Sequence, residues 1–77
     1  MTTAATADVP GQTVSLGGVA YKIQPLAEDT FTVLVAGVPV GRIVYTWGAD
    51  NGVAESETVT EDTMYAIAEA WFAATAG

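Results

Sequence analysis

Thr58-Val59-Thr60-Glu61-Asp62-Thr63-Met64-Tyr65-Ala66-Ile67-Ala68-Glu69-Ala70-Trp71-Phe72 is the stretch on which the fold class turns. Met64, Ile67, Ala68, Trp71, Phe72 and Thr75 recur at helical spacing and form one broad stripe. Thr58 with Glu61 three positions later fits a capping box, and Thr60 fits equally well as the cap. Either choice puts Glu61 and Asp62 in the first turn, where carboxylates complement the helix dipole. Burial of Met64, Ile67, Trp71 and Phe72 stabilises by roughly 1.5–3 kcal/mol each, enough to decide whether a small domain folds. Ala66, Ala70 and Ala73 make a smooth strip on the other side. It reads either as alanine used for its helix propensity or as a face packed on a partner.

Everything upstream of this helix alternates at strand spacing. Phe31-Thr32-Val33-Leu34-Val35 is rich in β-branched and aromatic residues and predicts a strand. Thr13-Val14-Ser15-Leu16 and Val19-Ala20-Tyr21-Lys22-Ile23 flank Gly17-Gly18, a pair suited to a tight hairpin turn because both can take positive φ. Pro25 is expected to end the second of these strands. Ala27 to Thr30 reads as a polar turn and Gly37-Val38-Pro39 as a break. Val40 to Trp47 forms a further strand, with Ile43, Tyr45 and Trp47 on the core face and Arg42 on the outer face. Lys22 falls outside in the same way. Gly48 to Gly52 has the composition of a turn, and Val53 to Val59 fits either a short edge strand or a loop. The expected architecture is α+β: an antiparallel sheet of three to five strands with one C-terminal helix packed on one face. Residues 1–11, ending in Pro10-Gly11, read as a flexible N-terminal tail, and residues 12–77 as a single domain.

Composition narrows the function classes. In 77 residues there is neither Cys nor His, so disulfides and the usual zinc sites are absent and the fold rests on its apolar core. Nucleophilic catalysis would fall to Lys22, a hydroxyl or a carboxylate, and so short a chain has little room for a deep cleft. The expectation is a protein that is not an enzyme. No phosphate-binding glycine motif is present, and Asp50 to Glu61 matches an EF-hand loop only at its ends: Gly52, Ala54 and Glu55 occupy positions that need other residues. No cofactor is therefore expected. The first residues have neither the positive charge nor the apolar core of a signal peptide, and no apolar run reaches the length of a membrane span, so a soluble cytoplasmic protein is expected.

Charge is the strongest signal. Nine acidic residues face only Lys22 and Arg42, for a net charge of −7. Such a chain repels nucleic acid and anionic membrane and is drawn to basic surfaces. The bland alternative is that acidity only keeps a hydrophobic small protein soluble. Asp50, Glu55, Glu57, Glu61 and Asp62 lie within thirteen positions and form the candidate partner-binding band. Its own alternative is that Glu61 and Asp62 cap the helix while the others solvate a loop.

Three resemblances bear on function. Phe31-Thr32-Val33, Gly41-Arg42-Ile43, Thr60-Glu61 and Glu69-Ala70-Trp71 resemble the arm-binding domain of phage integrases, a three-stranded sheet followed by one helix. That family binds DNA through basic residues on its sheet, and this acidic chain departs from it there, so the DNA-binding role does not carry over. Val14-Ser15-Leu16-Gly17-Gly18 with Tyr21, Pro25 and Leu26 is similar to the start of some phage tail-assembly proteins. In size and charge the whole chain resembles small acidic phage-encoded anti-CRISPR proteins. That resemblance implies an inhibitor that imitates DNA and enters the basic DNA-binding channel of a CRISPR effector complex. The alternative is a phage structural or tail-assembly protein that oligomerises, as a homodimer or more, through a sheet edge or the alanine strip.

Overall fold

The computed structural model describes residues 5–76, Ala76 by its backbone alone. Six strands precede one helix: β1 (Thr6–Asp8), β2 (Thr13–Leu16), β3 (Val19–Ala27), β4 (Thr30–Val35), β5 (Val38–Thr46), β6 (Ala49–Ala54) and α1 (Glu61–Ala76). Each strand pairs antiparallel with its sequence neighbours, in the order β1-β2-β3-β4-β5-β6. The α+β class holds, but the sheet has six strands and not three to five. One additional strand comes from the stretch read as a tail, where Thr6, Ala7 and Asp8 pair with Ser15, Val14 and Thr13. Residues 1–4 of that stretch lie outside the described residues. The other is β6, whose Ala49-Asp50-Asn51-Gly52 has turn-like composition yet pairs residue for residue with β5, from Thr46↔Ala49 to Gly41↔Ala54.

Two-residue turns hold this meander together. Gly17-Gly18, Ala36-Gly37 and Trp47-Gly48 each place both central residues at positive φ, the mirror-image turn whose twist matches flanking strands. Trp47 thus belongs to a turn at φ 55°, and its side chain is 98% exposed. This corrects the expectation that it faces the core. Pro25 does not end its strand either, since β3 continues to Ala27. The pairing of β2 with β3 stops at Lys22, while Ile23 donates its N–H towards the β2 side, to the Gln12 carbonyl at 2.8 Å. Pro25 shares that parity, so the donor it lacks would point where no strand remains to accept it.

The sheet curls, and α1 lies in its concave side against β6 and β5 and against β1 and β2 at the far edge. The middle strands stand further off, and large side chains fill the space between. Val14, Tyr21, Ile23, Val33, Val40 and Ile43 meet Met64, Ile67, Ala68, Trp71 and Phe72, all buried. Phe31 reaches across to Trp71 edge-on, with ring centroids 5.8 Å apart, and to Phe72 at 5.7 Å. Five of the six expected stripe positions are buried; Thr75 is exposed and donates its hydroxyl to the Trp71 carbonyl at 3.0 Å. In the alanine strip, Ala70 packs on the core, Ala66 is half-buried and Ala73 is exposed.

Two glycines set the helix height. A Cβ on Gly52 would lie 2.5 Å from the Met64 carbonyl carbon, and one on Gly41 would collide with the Val53 carbonyl oxygen and the Met64 methyl group. Only bare backbone lets α1 settle this close to β5 and β6.

Candidate functional site

Because each strand reverses the last, the connections fall at two ends of the molecule. At one end lie the Gly17-Gly18 and Ala36-Gly37 turns, the 55–60 loop and the start of α1. At the other lie Glu28-Asp29, Trp47-Gly48 and the end of α1, which runs back antiparallel to β6. Carboxylates occupy both ends.

The helix-start end collects four of the five predicted site residues. Glu55 is bonded to Arg42 at 3.0 Å, with both side chains a little under half exposed, a pair worth at most about 1 kcal/mol in that setting. Glu57 is exposed in a loop shaped by Ser56, whose Oγ accepts the Thr58 N–H at 3.2 Å and lies 2.9 Å from the Thr58 hydroxyl. Thr60, not Thr58, caps the helix: its Oγ1 accepts the Thr63 N–H at 3.1 Å. Glu61 and Asp62 follow, exposed, in the first turn.

Asp50 does not join them. Along β6, Asp50, Gly52 and Ala54 face the helix, whereas Ala49, Asn51 and Val53 face outward. Since Gly52 lies under Met64, Asp50 sits one step further towards the helix end, beside Glu69, Phe72 and Ala73. Asp62 and Glu69 are about 10 Å apart along the helix axis, seven residues of rise. The expected band is thus split between the two ends.

The helix-end site was missed by sequence reading. Tyr45 and Phe72 pack with ring centroids 5.3 Å apart and form a wall between two shallow depressions. One, of about 220 Å³, is lined by Asp29, Tyr45, Phe72 and Thr75. The other, of about 240 Å³, is lined by the same two rings with Gly48, Asp50, Glu69 and Ala73. Tyr45, expected in the core, is 38% exposed because it forms this wall. The Asp29 carbonyl accepts the Tyr45 N–H at 2.9 Å and so ties the β3–β4 turn to β5. Asp29, Asp50 and Glu69 are far apart in sequence, and no spacing rule joins them. Among the described residues, no three acidic side chains converge closely enough to hold a metal ion, and no helix is long and apolar enough to cross a membrane.

Lys22 and Arg42 both lie exposed on the outer face of the sheet, as their strand parity predicts. No family model, curated protein or solved structure matches this chain.

Proposed function

We propose that this chain is a small acidic inhibitor, of the kind encoded by phage and mobile elements. It would bind the basic nucleic-acid channel of another protein, such as a CRISPR effector complex, in place of DNA. The observation that carries this reading is the separation of charge. The helix bears Glu61, Asp62 and Glu69 and no basic residue, both ends of the molecule are acidic, and the two cations of the chain lie on the outer sheet face, with Arg42 already bound to Glu55. A surface of one sign steers the protein to a Lys- and Arg-lined groove, and its carboxylates take the place of phosphates there.

Leu26 and Val38, 57% and 60% exposed, favour a second reading, an assembly protein that oligomerises through apolar surface. Salt separates the two. Complexes captured from host lysate at low salt dissociate at high salt and release their DNA-binding activity if the acidic reading holds. An assembly held by apolar contacts persists, and its persistence would sink the inhibitor proposal.

A further inference from the structure

We propose that the groove around Tyr45 and Phe72 receives an arginine side chain of the partner protein. This inference rests on the acidic-inhibitor reading and identifies the contact by which it docks.

Size sets the first limit. Depressions of about 220 and 240 Å³ fall below the roughly 300–1,000 Å³ typical of small-molecule sites, so each suits one side chain. Charge sets the second. Asp29 lies on one side of the ring wall, Asp50 and Glu69 lie on the other, and among the described residues no cation lines either depression. The Thr75 hydroxyl donates back to its own helix at 3.0 Å, which leaves its oxygen only lone pairs to offer. Apart from the Tyr45 hydroxyl, the polar side chains here can only accept hydrogen bonds. The last turn of α1 carries no basic residue, so the negative end of the helix dipole is uncompensated at this same end. A cationic hydrogen-bond donor that can also lie against the two rings complements this lining.

Arginine fits better than lysine because its planar guanidinium stacks on aromatic faces while its N–H groups fork towards carboxylates. Trp47 extends the same end of the molecule. It precedes Gly48 in the turn, holds a left-handed backbone unfavourable to a bulky residue, and exposes nearly its whole ring. Of the four non-glycine residues at positive φ among the described residues, Gln12, Asp29, Ala36 and Trp47, it is the largest, and its exposed indole is available to a partner docked at this end.

The test uses the full chain, labelled with ¹⁵N and titrated at low salt with a short arginine-containing peptide, its citrulline analogue and its lysine analogue. The expected result is arginine-selective shifts of the Tyr45, Gly48, Asp50 and Glu69–Thr75 amides. Binding should weaken about tenfold or more in Asp50→Asn/Glu69→Gln, whose unchanged remaining spectrum reports an intact fold. Equal shifts with citrulline or lysine, shifts centred on Glu57 to Asp62, or no shifts at all overturn the inference. So do concentration-dependent shifts of these amides without peptide, which assign the groove to a second copy. If those results accompany a partner complex that still dissociates with salt, the groove fails while the acidic-inhibitor reading stands.

Discussion

The two acidic ends differ in how their carboxylates are held. At the start of the helix, Glu55 has Arg42, Glu61 and Asp62 have the positive end of the dipole, and Thr60 closes the first turn. Three of the four carboxylates there have a structural counterpart, and Glu57 stands exposed in the loop. At the end of the helix, Asp50 and Glu69 stand beside two aromatic rings, the dipole adds further negative potential, and among the described residues no cation answers them. The two ends are thus held differently: carboxylates at the first stabilise the start of their own helix, and those at the second are the ones the proposed arginine contact would use.

Trp71→Ala should have the largest effect, because Trp71 is buried in the core and meets Phe31 edge-on. Removing a buried aromatic costs about 3–5 kcal/mol, and in so small a domain denaturant titration should find little folded protein. An unchanged melting temperature would take Trp71 out of the core and end the comparison with it. Gly52→Ala comes next at about 1–3 kcal/mol, since the new methyl group must push Met64 and the helix away from β6. A loss of half a kcal/mol or less (about a twofold change in the folding constant) would mean that the helix does not sit this close to the sheet.

Thr60→Ala tests the helix-start end alone. Loss of its cap costs about 1 kcal/mol in thermal or denaturant melts and leaves arginine-peptide binding unchanged. Trp47→Asn tests the other end and should act in the opposite direction. Asparagine tolerates the left-handed turn, so stability rises by up to about 1 kcal/mol. A fall in melting temperature would show that the indole contributes to folding and is not a free contact surface. The smallest effect belongs to Glu55→Gln, a few tenths of a kcal/mol that vanishes at high salt because the pair with Arg42 is largely solvated.

What was legible beforehand followed from periodicity. The stripe Met64, Ile67, Ala68, Trp71 and Phe72 is buried where helical spacing places it, and Gly17-Gly18 makes its turn. Trp47 was misplaced because alternation was carried one residue too far, into a turn whose second residue, Gly48, was the available signal. The helix-end groove had no such signal, because Asp29, Asp50 and Glu69 come from a turn, an edge strand and a helix.

By itself the sequence determined the class of fold, the buried face of the helix, the outward position of Lys22 and Arg42, and the net charge. These depend on local spacing and composition, which act through the chain's own geometry. Only the tertiary structure decided that Ala49 to Ala54 is a strand, that Asp50 leaves the other predicted carboxylates, and that Tyr45 and Phe72 share a wall. The physical reason is close packing: Gly52 and Gly41 let the helix settle onto β5 and β6, and that contact draws distant carboxylates to one end of the molecule.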